Sequence, residues 1–264
     1  MEISAATVMK LRNDTGLSMM ECKKALVEVG GDFEKAKDHL RKALKGKMDS
    51  RTDRAAGAGR VAVAIGAGKA AIIEVRAETD FTAMNEKFGD VCNRVAEEAL
   101  KLPAGAITAT PAMTAIIDEI RISSNENCSF ARGVVFEGGV FGAYVHFDNK
   151  SAALIKAEGT ASAELLKEIG MHIVANPDRP LGVTTAEIPA ELIEKERKFR
   201  VEQAIESGKP AQIAEKMVEG AIKKFVEERA LNEQPFIKDP SKKIKDVVGA
   251  GGKLTGFVRY QVGE

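Results

Sequence analysis

The side chains best suited to chemistry or recognition cluster in one polar turn, which contains Thr79, Asp80, Phe81 and Thr82. A strand-like alternation over residues 71–75 stops before this turn, and a helical pattern starts after it. Burying a phenyl ring is worth about 1.5–3 kcal/mol, so a loop seldom presents one to water without a receiving pocket. Phe81 is therefore either a local plug that folds back onto its own sheet, which the spacing alone favours, or a wedge for a partner.

The glycine patterns do not predict a nucleotide site. Residues 57–62 match a relaxed dinucleotide-binding pattern, but they open a strand, whereas a Rossmann turn follows a strand and opens a helix. Gly68 and Gly252 each precede a lysine, yet both lack the P-loop spacing and the following Ser or Thr. We therefore expect this chain to bind no nucleotide directly.

The three histidines, His39, His146 and His172, form no metal or catalytic motif. None has His-Glu-x-x-His spacing or a cysteine at metal-ligand distance in the sequence, and no Gly-x-Ser-x-Gly elbow occurs. His172 interrupts the apolar side of a predicted helix, which indicates a core position, whereas His146 ends a predicted strand where it could serve an interface. The sequence predicts no metal, no cofactor and no catalytic residue, and therefore a protein that is not an enzyme.

Composition excludes several classes of partner. The 264 residues carry 39 basic and 39 acidic side chains, with 5% aromatic residues and no Trp, whereas nucleic-acid binding requires a basic surface and aromatic stacking. The scattered cysteines Cys22, Cys92 and Cys128 indicate reduced thiols. No apolar run approaches the about 18 residues that span a bilayer, and the N-terminus lacks the pattern of a signal peptide. We expect a cytoplasmic protein that binds neither nucleic acid nor membrane.

The first predicted elements along the chain form a small helical module over residues 1–46. Ser4, Ser18 and Asp32 are predicted N-caps of three short helices, and Glu21 completes a capping box with Ser18. Apolar residues recur at three- and four-residue spacings within each helix. A bundle this small has a thin core, so we interpret it as a docking module rather than a catalytic body.

A predicted linker over residues 47–60 leads to an α+β core with antiparallel sheets. Its halves are expected at residues 61–139 and 140–264, because a hairpin followed by a helix occurs in each. The predicted strands are 61–65, 71–75, 131–136, 140–147, 152–157 and 254–260, and the predicted helices are 85–101, 113–122 and 163–174.

Residues 189–228 predict an antiparallel helical hairpin that protrudes from this core. Gly208 suits the end of its first helix, and Pro210 suits the first turn of its second. The apolar residues predicted to face each other across the pair are Leu192, Ile193, Phe199 and Ile205 on the first helix and Ile213, Met217, Ile222 and Phe225 on the second.

Four separated blocks of the sequence resemble bacterial elongation factor Ts. They are residues 11–16 with 19–26, residues 78–81 with 83–88, residues 208–210 with 213–220, and residues 233–236 with 256–264. One such match would carry little weight, whereas four matches in the order of the family are specific. The resemblance also implies that the N-terminal helices form a module of the ubiquitin-associated type.

This resemblance implies a guanine-nucleotide exchange factor for elongation factor Tu, the GTPase that carries aminoacyl-tRNA to ribosomes. In the family an Asp-Phe turn enters between two helices of the GTPase domain and disturbs its Mg²⁺ and phosphate site. That role would fall here to residues 79–82, with Phe81 as the apolar wedge. Further contacts with elongation factor Tu are expected at Leu11, Arg12, Met19, Met20 and His146.

Two other function classes stay open at this point. A passive adaptor or chaperone would bind the GTPase without accelerating GDP release, and Phe81 would then be a plug. A nucleotide-dependent enzyme would bind nucleotide in the absence of any partner. The two are separated from an exchange factor by an exchange assay and by a nucleotide titration of the isolated chain.

Overall fold

The computed structural model of the chain describes residues 3–49, 53–206 and 211–264. The predicted turn at Gly208 and Pro210 lies outside these residues. Among them, no helix is both long enough and apolar enough to cross a lipid bilayer.

The described residues divide into two compact units, each built from helices and antiparallel strands. The first unit holds the residues up to Glu137 together with Phe147–Ser151 and Tyr260–Glu264, and the second holds Gly138–His146 and Ala152–Arg259. The predicted α+β class is therefore confirmed.

The first unit starts with three helices, α1 (Ala5–Thr15), α2 (Met19–Glu28) and α3 (Phe33–Asp49). Ser4 accepts a hydrogen bond from the Thr7 amide at 3.1 Å, and Ser18 forms the predicted capping box. The α3 helix runs to Asp49, into the segment predicted as a linker. The small core of these helices consists of Val8, Leu11, Leu17, Cys22, Ala25, Leu26, Ala36 and Leu40.

A four-stranded antiparallel sheet and three further helices complete the first unit. In chain order these elements are β1 (Ala58–Gly66), β2 (Lys69–Ala77), α4 (Asp80–Met84), α5 (Glu86–Ala99), β3 (Gly105–Ile107), α6 (Pro111–Ser124) and β4 (Ser129–Glu137). The strand order is β1-β2-β4-β3. The β1–β2 pairing ends at Gly66 opposite Lys69, and Gly68 adopts the positive φ of 76° that this tight turn requires.

The α5 and α6 helices cover this sheet and form the main core of the unit. Apolar side chains of α5 recur every three or four residues and meet the inward side chains of β2. The buried members include Ile73, Val75, Phe88, Val91, Cys92, Val95, Met113, Ile117, Ile120 and Val135.

The second unit contains a three-stranded sheet with the order β5-β6-β9, formed by β5 (Val140–Val145), β6 (Ser151–Gly159) and β9 (Gly252–Gln261). The helix α7 (Ala163–Ala175) lies close against β5. Two glycines permit this approach, because a Cβ on Gly142 would lie 2.3 Å from the Leu166 Cβ and one on Gly170 would lie 2.9 Å from the Tyr144 Cβ.

The remaining elements of the second unit are α8 (Ala190–Glu206), α9 (Ala211–Arg229), β7 (Pro235–Phe236), β8 (Asp239–Lys243) and α10 (Ile244–Val248), with short 3₁₀ helices at Thr185–Glu187 and Leu231–Glu233. The α8 and α9 helices pack together, as predicted for a hairpin, but through Ala204, Val218 and Ile222.

The predicted inner face of this helix pair is correct at Ile193 and Ile222, which lie in the contact, but wrong at several other positions. Phe199, Ile205 and Met217 are exposed rather than packed between α8 and α9. Apolar residues occur on more than one side of α8, so spacing alone did not distinguish the packed side. The small side chains of Ala204 and Ala214 instead form part of the contact.

Candidate functional site

The turn between β2 and α5 is a one-turn helix, α4, rather than the predicted loop. Thr79 is its N-cap, and the Thr79 hydroxyl accepts a hydrogen bond from the Thr82 amide at 3.3 Å. Asn85 ends α4 with extended backbone angles and at once caps α5, its side chain accepting from the Lys87 amide at 2.9 Å. Two caps six residues apart in sequence therefore fix the length of α4.

The apolar side of α4 faces solvent and its buried side holds smaller residues. Phe81 is 85% exposed and Met84 is 66% exposed, whereas Thr82 and Ala83 are buried. Residues three apart share one side of a helix, so the phenyl ring and the thioether form one exposed apolar surface. The plug interpretation of Phe81 is therefore wrong, and Thr82 supports the turn from beneath instead of presenting its side chain.

Two connections of the first unit hold the start of α4. The Glu126 carboxylate, between α6 and β4, accepts from the Thr79 amide at 3.1 Å and from the Thr79 hydroxyl at 2.7 Å. In return, the Glu78 carboxylate accepts from the Asn127 amide at 2.7 Å. The connection before α4 and the connection before β4 thus bind each other through two carboxylates.

The end of α4 is held from β1. The Arg60 Nε donates a hydrogen bond to the Ala83 carbonyl oxygen. Gly89 makes room for this guanidinium, since a Cβ at that position would lie 2.5 Å from Arg60 Nη1. Both ends of the short helix are therefore bound by side chains from other elements.

Asp80 is exposed at the start of α4. Within the described part of the chain its carboxylate makes no hydrogen bond. The helix therefore presents one carboxylate, one phenyl ring and one thioether to solvent.

The N-terminal candidates divide between surface and core. Arg12 is exposed, and Met19 and Met20 are 41% and 82% exposed, so neither methionine belongs to the small core. Leu11 is fully buried in that core and presents no surface to a partner. This apolar side chain lies on the inward-facing side of α1 and packs in the core of the three helices.

His146 lies in the second unit, directly after β5. Its Nδ1 is 3.0 Å from the Tyr144 hydroxyl, and the two rings meet edge to face with centroids 6.0 Å apart. The ring is partly buried. Of the nine candidate residues, the structure brings Thr79, Asp80, Phe81 and Thr82 together in one element.

Comparison with known proteins identifies the family. The model of the family described as elongation factor Ts matches residues 78–264. The chain belongs to the elongation factor Ts family. A protein named elongation factor Ts from Thioalkalivibrio sulfidiphilus is 44% identical over 277 residues, covering 100% of this chain and 93% of its own.

Proteins with the same name from two other organisms are also similar to this chain. Those from Pasteurella multocida and Hahella chejuensis are 40% and 42% identical, covering 100% and 99% of this chain and 93% and 92% of their own. The family match starts at Glu78, whereas these relatives also align with the three N-terminal helices. The predicted family is confirmed, and it is one of translation elongation factors.

Burial favours the neutral form of three titratable groups, Cys92, Cys128 and His172. Burial raises the pKa of Cys92 and of Cys128 to about 12, so both thiols stay protonated. Burial also lowers the pKa of His172, whose Nδ1 accepts from the Ile237 amide at 3.2 Å and whose Nε2 therefore donates to Gln234 Oε1 at 2.9 Å. The core position predicted for His172 is confirmed.

No group of three or more His, Cys, Asp or Glu side chains within the described ranges could hold a metal ion. The α4 region offers an exposed apolar surface, formed by Phe81 and Met84, and the carboxylate of Asp80.

Sequence reasoning missed four residues of the α4 region. Met84 could have been found, since Thr79 is a good N-cap and a helix starting there places residues 81 and 84 on one side. Glu78, Glu126 and Arg60 carried no local signal, because Glu126 lies 47 residues after the threonine that it binds. Such contacts depend on the fold, and a single sequence does not display them.

Proposed function

We propose that this chain is a guanine-nucleotide exchange factor that binds elongation factor Tu with GDP and promotes GDP release during translation elongation in the cytoplasm. The observation that carries the proposal is the 85% exposure of Phe81 on a helix whose ends are both held. Insertion into a partner requires an aromatic ring that is exposed to solvent and carried by a rigidly held element.

The physical basis is a competition for the conformation of the GTPase. GTPases of this class hold GDP through the backbone amides of a phosphate-binding loop and through Mg²⁺ in an octahedral shell. An exchange factor need not touch GDP, because it acts by favouring a conformation in which these groups no longer meet the nucleotide. Phe81 and Met84 would supply apolar contact between helices of the partner, and Asp80 would accept hydrogen bonds there.

Reciprocity makes such a protein a catalyst of exchange. Whatever factor the bound exchange factor removes from GDP affinity, GDP removes from the affinity of the exchange factor. GDP therefore leaves the ternary complex readily, and entering GTP displaces the exchange factor in turn. No covalent step is required of this chain, which is consistent with a protein that is not an enzyme in the bond-breaking sense.

A second contact is proposed at the N-terminal module. Arg12, Met19 and Met20 are exposed there on α1 and α2. Methionine side chains adapt to irregular surfaces, which suits a contact with a partner that changes conformation. This contact would contribute affinity, whereas α4 would contribute the change at the nucleotide site.

Stopped-flow release of a fluorescent GDP analogue from elongation factor Tu tests the proposal. Truncating Phe81 to Ala removes about 1.5–3 kcal/mol of apolar contact, so we expect release to slow by about ten- to a hundredfold. Phe199→Ala is the matched control, because it removes the same group from an exposed position on α8. We expect that control to release GDP at the wild-type rate.

Two results would contradict the proposal. Binding of wild-type chain to elongation factor Tu without faster GDP release would favour a passive adaptor or chaperone. Micromolar GDP or GTP binding by the isolated chain in calorimetry would favour a nucleotide-dependent enzyme. We expect the isolated chain to show no nucleotide binding.

A further inference from the structure

We infer that Glu126 is a positioning residue that sets the orientation of α4 and thereby places the Phe81 ring for the partner. This inference rests on the proposed exchange function. It assigns a role to the connection between α6 and β4, which has no exposed apolar anchor of its own.

The hydrogen bonds at Thr79 explain how a carboxylate can orient the helix. The Thr79 hydroxyl has one proton, which it donates in a hydrogen bond of 2.7 Å to Glu126 Oε1. The lone pair of the same hydroxyl then faces the Thr82 amide, which donates to it at 3.3 Å. Glu126 Oε2 also accepts from the Thr79 amide. Glu126 therefore fixes the rotation of the hydroxyl that caps α4.

Glu126 is itself held in place. The Asn127 amide donates to Glu78 Oε1 at 2.7 Å, and the Asn127 side chain donates to the Arg54 carbonyl oxygen at 2.8 Å. Asn125 ends α6 in the left-handed conformation, with a φ of 60°. The carboxylate thus projects from a backbone segment that is anchored immediately after it.

Burial alone would not give α4 this orientation. Only Thr82 and Ala83 of its five residues are buried, whereas Phe81 and Met84 together expose most of the apolar area of the helix. Since burial would favour the opposite rotation, the directional bonds at Thr79, together with the Arg60 bond at the end of α4, hold the ring outward. Holding the ring in advance lowers the entropy that is lost when the ring enters a partner.

The test compares conservative variants in the GDP-release assay. Glu126→Gln keeps the size of the side chain but replaces one acceptor oxygen by a donor, so Thr79 loses one of its bonds. We expect release to slow by about three- to tenfold. Thr79→Val, which is isosteric but lacks the hydroxyl, should give a similar loss, and Thr79→Ser should restore near-wild-type release.

Glu119→Gln is the matched control. Glu119 lies on α6 and also accepts two hydrogen bonds, from Arg94 at 2.7 and 3.0 Å. We expect this control to leave GDP release unchanged. Thermal unfolding of each variant establishes the folded fraction, and Thr79→Val supplies the same test if Glu126→Gln fails to fold.

A double variant separates positioning from direct contact. If Glu126 acts mainly through the ring, Glu126→Gln should cause clearly less slowing in a Phe81→Ala background than in the wild-type chain. Equal slowing in both backgrounds would mean that Glu126 contacts the partner itself, and an unchanged rate for Glu126→Gln alone would also overturn the inference. A normal rate for Phe81→Ala would instead overturn the proposed wedge, so the two failures are distinguishable.

Discussion

Two consecutive helices of the first unit, α4 and α5, differ in which of their side chains they bury. The α5 helix buries Phe88 completely and turns its polar side to solvent. The α4 helix exposes Phe81 and Met84 and buries Thr82. Only Asn85, the shared cap, separates the two helices.

The difference shows which force orients each helix. Apolar burial orients α5, because its inward residues recur at helical spacing along four turns. Hydrogen bonds orient α4, through Glu126 at its start and Arg60 at its end. A helix oriented by hydrogen bonds can keep its apolar side exposed to solvent, and a binding partner can then cover that exposed surface.

The largest expected effect contrasts the two phenylalanines in urea unfolding. Phe88→Ala empties a fully buried site and should lower the free energy of unfolding by about 3–5 kcal/mol. Phe81→Ala removes an exposed ring and should change it by less than about 0.5 kcal/mol. A large destabilisation by Phe81→Ala would contradict the exposed position, and a small one by Phe88→Ala would contradict the core position.

A third helix sharpens the comparison, because α7 places a polar residue, His172, on its buried side. Burial lowers the pKa of His172 below its ordinary value of 6.5. Below about pH 6.5 the unfolded chain therefore binds a proton at this histidine more readily than the folded chain does. The free energy of unfolding should fall as the pH is lowered through this range, by at most about 1.4 kcal/mol per pH unit. Above that pH the contribution is complete and constant.

Unfolding free energies from pH 7.5 to 5.5 check this expectation against a His172→Gln variant. Glutamine still offers an acceptor and a donor in place of the ring nitrogens, which contact Ile237 and Gln234. The difference between wild type and variant should be flat near neutral pH and should grow in favour of the variant as the pH falls. A difference that stays constant with pH would show that the folded ring accepts the proton.

A smaller effect is expected from Asp80, the exposed carboxylate of α4. Asp80→Ala should slow GDP release by about two- to tenfold, less than Phe81→Ala does, because it removes a hydrogen bond rather than an apolar wedge. Asp90→Ala, at an exposed acidic position on α5, is the control and should not alter release. If both variants slow release equally, general charge attraction is responsible and α4 has no special part in it.

The sequence predicted the elements that burial controls. The strands β1, β2, β4, β5, β6 and β9 and the helices α5, α6 and α7 lie close to their predicted bounds, because their apolar residues repeat with the period of the element. The short strands β3, β7 and β8 were not predicted, since two to five residues are too few to show a period. The capping box at Ser18 was also found, since its two residues lie three apart. Local signals of this kind are complete within one segment of chain.

The sequence could not predict what orients the candidate site. The α4 helix is too short to show a period, and its apolar residues point outward, so spacing favoured a plug. The partners of Thr79 and Ala83 come from residues 126 and 60, which only the fold brings near. The predicted inner face of the α8 and α9 pair was partly wrong for a related reason, since its contact includes small alanines that carry little hydrophobic signal.

The smallest expected effect tests the link between the two helices at Gly89, on α5. An added methyl group would lie 2.5 Å from Arg60 Nη1, so the end of this flexible side chain must move and its bond to the Ala83 carbonyl should weaken. Alanine gains about 0.8–1 kcal/mol of helix propensity, which roughly offsets the about 0.5–1.5 kcal/mol of a lost hydrogen bond. Gly89→Ala should therefore leave the free energy of unfolding nearly unchanged.

The same variant should slow GDP release by about two- to fivefold, because the end of α4 loses a restraint while its apolar surface stays intact. Gly220→Ala is the control, since a methyl group there meets no atom of the described residues within 4 Å and the glycine also lies within a helix, α9. That control should gain the full propensity term in urea unfolding and release GDP at the wild-type rate. If Gly89→Ala behaves like Gly220→Ala in both measurements, the Arg60 bond does not orient α4, and Glu126 alone would account for the difference between the two helices.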